Sequence, residues 1–189
     1  MGTGISRLRL AVSDVLIIKP YKAAGVLFTD GKHVLAGYQP GKRVPCITGI
    51  GGCREKGEIR IDTALRETVE ELYDIKKLPP GLLKKLKSMC VPIETFQNGS
   101  YVVFVLNFQD LEKILKTCME FKVDTSIYKE YPLTLSDLIF NRDILLSSEI
   151  THLALLPFVR HEGKTLVSPD FLKDIRKIQS FTVPCKIEV

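Results

Sequence analysis

Several common features are missing from this sequence, and each absence narrows the reading. No apolar run approaches the roughly 18 residues that a membrane-crossing helix needs. The longest, around Val102 to Leu106, is only strand-sized. Arg7 and Arg9 are not followed by a long apolar stretch, so no secretory signal is expected. Low-complexity tracts and internal repeats are absent, which excludes solenoids and fibrous arrays. No Cys-x-x-Cys pair occurs. The five cysteines, Cys46, Cys53, Cys90, Cys118 and Cys185, are odd in number and widely scattered. That spacing argues against a structural zinc site, and reduced thiols in a cytoplasmic or nuclear compartment are expected. No RNA-binding motif and no interleaving of aromatic and basic residues is present.

What is there is ordinary globular composition: 189 residues, 45% apolar and 26% charged, with a formal charge of +5. This suits one domain over residues 1–189, with a core at about 21–158 and a C-terminal helical extension at about 159–189. The charge is a mild bias toward anionic partners such as nucleotides or RNA. Met1-Gly2-Thr3-Gly4-Ile5-Ser6 matches the short pattern for myristoylation at Gly2.

Periodicity sets out the elements. Leu8 to Ile18 reads as edge strand. Ala23 to Phe28 and His33 to Tyr38 form a hairpin across Asp30-Gly31, and Ile47 to Gly57 is a short strand with a glycine-containing loop. Ile61, Ala64, Leu65, Thr68 and Leu72 recur at helical spacing, and Pro79-Pro80 ends that segment. Val91 to Phe96 and Tyr101 to Phe108 read as strands joined through Asn98-Gly99-Ser100. That triplet is also a glycosylation sequon, but a hairpin turn is its stronger reading. Helices are expected at 82–89, 110–120 and 136–140, with a strand or extended segment at 127–133 between the last two. Ile144 to Val159 reads as mostly helical. A last helix opens at Ser168-Pro169-Asp170 and carries Phe171, Leu172, Ile175 and Ile178 on one face. The fold class is α+β, with strands around one central helix and further helices late in the chain.

Glu67, Glu70 and Glu71 stand at i, i+3 and i+4, so three carboxylates share the helix face opposite the apolar one. Like charges so placed repel, and a cation is needed to offset them. Oxygen-only donors in this number suit Mg²⁺ or Mn²⁺. Such an ion neutralises phosphate oxygens and lowers the pKa of a bound water. Arg66 can anchor the carboxylates through its fork of donors. Gly51-Gly52 ahead of the helix lets backbone approach without a Cβ in the way.

The run Gly52-x5-Glu58-x7-Arg66-Glu67-Thr68-Val69-Glu70-Glu71-Leu72-Tyr73-Asp74 resembles the signature of the Nudix hydrolase family, Gly-x5-Glu-x7-Arg-Glu-U-x-Glu-Glu-x-Gly-U, with U aliphatic. The likeness extends over the 23–37 hairpin and over Tyr131 to Leu138, covering roughly residues 21–158. It implies a mixed α/β/α sandwich with the signature loop and helix packed on a mixed sheet. It implies Glu67, Glu70, Glu71 and the carbonyl of Gly51 as metal ligands. Glu70 or Glu71 would activate water, with Arg66 and Glu58 holding the carboxylates in place. Two positions depart. Thr68 replaces an aliphatic residue. Tyr73 replaces a glycine that ends the helix in left-handed conformation, so the helix is expected to run one residue further, with Asp74 turning left-handed and Ile75 filling the closing aliphatic role.

The implied activity is hydrolysis of a pyrophosphate bond in a nucleoside diphosphate-linked substrate. Capped RNA and dinucleoside polyphosphates are alternative substrates, and a nucleotide-binding module without catalysis is the alternative of another class. A homodimer is also admitted. Lys42, Arg43 and Arg54 flank the glycine loop as phosphate-binding candidates. Tyr38 and Phe96 are candidates to stack a base, although core roles suit both. Glu120, Asp124 and Glu130 are candidates for a later-loop general base. Pro92 lies near a position that is proline in ADP-ribose-type relatives.

Overall fold

The computed structural model describes residues 20–158 and 166–182. The expected strand at 8–18 and the Gly2 motif lie outside the described residues. Seven strands form one sheet: β1 (Ala23–Thr29), β2 (His33–Gln39), β3 (Cys46–Thr48), β4 (Ile50–Cys53), β5 (Glu94–Asn98), β6 (Tyr101–Asn107) and β7 (His152–Pro157). The helices are α1 (Arg60–Tyr73), α2 (Leu82–Met89), α3 (Phe108–Glu120), α4 (Leu135–Phe140) and α5 (Pro169–Thr182). No described helix is long and apolar enough to cross a membrane.

The sheet is mixed. β6 runs parallel to the whole of β1, while the other pairs are antiparallel. With one edge of β1 filled by β6, its other edge is divided. β2 pairs at Thr29, and β4 takes Ala23 to Val26. Strand periodicity then builds two cores. Ala24, Val26, Phe28, Leu35, Val102, Phe104 and Leu106 face a core completed by α1, α2, α3 and α4. Leu27, Val34, Ala36, Val103 and Val105 face a second core covered by Phe171, Ile175 and Ile178 of α5. The result is α+β, helices on both faces of one mixed sheet. α5 begins at the expected proline with Asp170 in its first turn.

One expectation fails. Residues 144–158 are not helical: 152–157 is strand β7, antiparallel to β2 from His33↔Pro157 to Tyr38↔His152. The leucines there suit a helix by propensity, but the outer edge of β2 carries unpaired backbone groups that a strand satisfies. Leu153 reaches the first core and Leu156 the second. Smaller shifts occur elsewhere. β5 starts at Glu94 rather than 91, and α3 at Phe108 rather than 110. Residues 127–133 join no strand pair; Ile127 and Tyr128 pin that extended segment into the core.

The departures in the signature resolve as expected. Thr68 is fully buried, and its hydroxyl donates to the Ala64 carbonyl at 2.8 Å. α1 runs through Tyr73 and is capped by Asp74 at φ 54°, ψ 48°. Tyr73 is fully buried, edge-on to Tyr128 at 5.8 Å, so burial of its ring replaces what a glycine would contribute in conformation. Ile75 packs against the same core. Because Asp74 holds a left-handed conformation, Asp74→Gly is expected to stabilise the protein by up to about 1 kcal/mol, and Asp74→Val to destabilise it by about 1–2 kcal/mol. Urea midpoints at unchanged slope measure both.

Candidate active site

Two glycines on β4 let α1 close on the sheet. Gly51 pairs with Gly25 and sits at φ 148°. A Cβ there would run into the Tyr101 hydroxyl, the Gly25 Cα and the Ala24 carbonyl. At Gly52 a Cβ would overlap the carboxylate of Glu67. The acids of α1 therefore lie directly on the β4 backbone.

Arg66, 9% exposed, organises them. Its Nε donates to Glu58 Oε1 at 2.6 Å and its Nη1 to Glu70 Oε2 at 2.6 Å. Nη1 also lies 2.9 Å from Glu67 Oε1, and Nη2 donates to the Cys53 carbonyl at 2.8 Å. Glu58 further accepts from the Glu55 N–H and the Thr63 hydroxyl. Glu71 points the other way. Buried at 6% exposure, it accepts from the Gly51 N–H at 2.8 Å and from Gln39 Nε2 at 3.3 Å. The same Gln39 nitrogen donates to Glu149 Oε1 at 3.0 Å, and Lys42 Nζ stands 3.9 Å from that oxygen.

The electrostatics separate these acids. Burial raises Glu71 well above the usual carboxylate range; the Gly51 N–H opposes this, and the charges of Glu149 and Glu67 add to it. Burial also raises Glu67 and Glu70 against the pull of Arg66. Glu58 moves down: burial would raise it, but bonds from Arg66, the Glu55 N–H and Thr63 outweigh that. Arg66 is held charged, its burial overcome by Glu58, Glu67 and Glu70.

Among the described residues no three acid, histidine or cysteine side chains converge as a ready-made chelate. Arg66 stands between Glu58, Glu67 and Glu70 and draws their oxygens to itself. The donor set still fits a hard divalent cation in kind. Buried carboxylates outnumber the single guanidinium; burial first, and then the charges of neighbouring acids, raise the proton affinity of Glu67, Glu70 and Glu71, so a cation beside them is favoured.

Beside this cluster lies a cleft of about 900 Å³, lined by Gln39, Gly51 and Tyr101, by Lys42 and Arg43 of the β2–β3 loop, and by Asp174 of α5. Of the three phosphate-binding candidates, Lys42 and Arg43 line the cleft. Arg54 does not: it covers the Tyr21 ring at 4.9 Å and donates to the Glu58 carbonyl at 3.1 Å. Phe96 is core, under Lys177 Nζ at 4.6 Å, and Tyr38 packs edge-on to His152. Glu120, Asp124 and Glu130 are exposed and outside the cleft; half-buried Pro92 is also outside it.

The sequence reading missed Glu149 and Arg142. Glu149 lies in the stretch misread as helix, so its place beside Glu71 was hidden. Arg142 is buried without an acidic partner. It donates to the carbonyls of Leu72 at 2.7 Å, Glu71 at 3.1 Å and Ile150 at 2.7 Å, and to the Tyr128 hydroxyl at 3.1 Å. It therefore ties the C-terminal end of α1, where orphan carbonyls concentrate negative potential, to the segment that carries Glu149.

No family model matches the chain and no curated protein matches it. Among solved structures it is similar to a bifunctional NMN adenylyltransferase/ADP ribose pyrophosphatase of Francisella tularensis. There the identity is 14% and the TM-score 0.46, over 95% of this chain and 46% of that one, so the chain spans about half the length of that enzyme. It is also similar to a Nudix hydrolase of Nitrosomonas europaea, at 17% identity and TM-score 0.43 over 89% of this chain and 95% of that one. For an Ap4A hydrolase of C. elegans the values are 16% and 0.35, over 85% and 86%. At these identities and scores the functional reading rests on this chain's own residues.

The raised acids set a pH dependence. A carboxylate raised on folding contributes stability that is fully present below its unfolded pKa of about 4.5 and is lost as pH rises toward the folded value. Glu58, lowered on folding, acts in the opposite sense, adding stability above that range. With Glu67, Glu70 and Glu71 outnumbering it, the metal-free protein is expected to lose thermal stability between pH 5 and pH 8. Millimolar Mg²⁺ or Mn²⁺ should raise the melting temperature more at pH 8 than at pH 5, because ligands must be deprotonated. Scanning calorimetry at the two pH values checks both.

Proposed function

We propose that this chain is a Nudix-type hydrolase that cleaves a pyrophosphate bond in a nucleoside diphosphate-linked substrate. The observation that carries the reading is the gathering of Glu58, Glu67 and Glu70 around Arg66, with Glu71 on the Gly51 N–H, beside a cleft rimmed by Lys42 and Arg43. A surface row of glutamates would be solvated. These are largely buried, three of them bonded to Arg66 and Glu71 bonded to the sheet at Gly51 and Gln39.

Glu67, Glu70, Glu71 and the Gly51 carbonyl are the groups that would hold Mg²⁺ or Mn²⁺. When bound, such an ion neutralises phosphate oxygens and generates a nucleophilic hydroxide near neutral pH. Arg66 and Glu58 fix where the carboxylates point. Glu71, or Glu70, orients the attacking water and takes its proton, a role that their raised proton affinity suits. Glu149, exposed and linked to Glu71 through Gln39, is the second acid within reach of that water. Lys42 and Arg43 grip the phosphates from the rim of the cleft. Retention of every charged position of the signature favours turnover over a nucleotide-binding module.

The test is a panel of nucleoside triphosphates, ADP-ribose, diadenosine polyphosphates and capped RNA with Mg²⁺ or Mn²⁺. Turnover is expected on at least one member, and Glu71→Gln is expected to lower kcat by about 100-fold or more. No turnover on any member, or full activity in the variant, would sink the catalytic reading.

A further inference from the structure

The wall of the cleft that α5 and the β5–β6 turn form has a chemistry of its own. Asp174 lines the cleft yet is only 8% exposed, and it accepts a hydrogen bond from the Asn98 side-chain amide at the β5–β6 turn. Lys173 lines the same wall, but Asp170 pairs with it at 2.8 Å, so Asp174 is left to repel phosphate, and phosphates belong with Lys42 and Arg43. The uncharged part of a substrate belongs at Asp174. Tyr101 spans the two ends: its buried hydroxyl is raised by desolvation and then by the charges of Glu71, Asp174 and Glu67. Two apolar side chains, Phe171 and the 72% exposed Val44, also line the cleft and offer cover to a flat ring.

Resting on the hydrolase reading for the placement of the phosphates, we propose that Asp174 and Asn98 form a nucleobase subsite that selects guanine. A carboxylate only accepts hydrogen bonds and offers about four acceptor directions, of which Asn98 fills one. Guanine alone among the common bases presents two adjacent N–H donors, N1–H and the exocyclic amine, on its Watson–Crick edge. Adenine presents one donor beside an acceptor, which would meet the carboxylate lone pair to lone pair. Burial pushes Asp174 up to about 6, with the Asn98 bond opposing, so the group is mainly ionised at pH 7.5 and stands ready to accept. A ribose diol also offers two adjacent donors, and it is the competing ligand chemistry that the test separates.

The experiment is calorimetric binding of GDP, IDP and ADP at pH 7.5 to the full chain, its Glu71→Gln variant and its Asp174→Asn variant. Expected is tighter binding of GDP than of ADP by about tenfold or more, the scale of hydrogen bonds to a charged group. IDP, lacking the exocyclic amine, should fall between them. The order should persist in Glu71→Gln and collapse in Asp174→Asn, whose amide replaces one acceptor with a donor. Equal binding of GDP and ADP by the unmodified chain overturns the proposal, whether or not the Asp174 variant folds. Equal weakening of both nucleotides in Asp174→Asn also overturns it, assigning Asp174 to the ribose. Because binding needs no turnover, guanine preference in a chain inactive on the substrate panel would sink the hydrolase and keep the subsite. Turnover without base preference would do the reverse.

Discussion

The guanidinium of Arg66 bonds Glu58, Glu67, Glu70 and the Cys53 carbonyl together, and the placement of the site depends on it. One planar cation fixes two carboxylates of its own helix, a third from the preceding loop, and the strand end beneath. Without it, three glutamates on one helical face would swing into solvent to escape each other. With it, Glu67 and Glu70 stay largely buried beside Glu58, while Glu71 turns the other way onto the Gly51 N–H.

The sheet makes that clustering possible. β1 gives one whole edge to β6 and divides the other, so β4 can turn in beside it and present Gly51 and Gly52 to α1. Arg142 works from the far end. It holds the last carbonyls of α1 to Ile150 and so carries Glu149 up to Gln39 and Glu71. The two arginines do different work: Arg66 neutralises acids, whereas Arg142 satisfies backbone carbonyls.

Local residues carried much of this in the sequence. The spacing of Glu58, Arg66, Glu67 and Glu70 announced their gathering about one guanidinium, though not that Glu71 turns away from it, and the Tyr73-Asp74 pair announced a helix one residue longer. The apolar runs at 23–28 and 101–108 were legible as strands. What was not legible depends on distant pairing. β7 is strand because β2 needed a partner on its outer edge, and nothing within 144–159 records that need. Glu149 was lost with it. Arg142 looked like any surface arginine, because its carbonyl partners lie in segments separated along the chain. Arg54 was misplaced for a related reason: nearness to the glycine loop in sequence says nothing about the Tyr21 ring that holds it.

The most direct measurement is an electron paramagnetic resonance titration of free Mn²⁺ at pH 8 with the unmodified chain and with Glu67→Gln and Glu71→Gln. The expected result is saturable binding at sub-millimolar Mn²⁺, weakened by about tenfold or more in each variant. Absence of binding by the unmodified chain at millimolar Mn²⁺, or equal binding by all three proteins, would contradict the account.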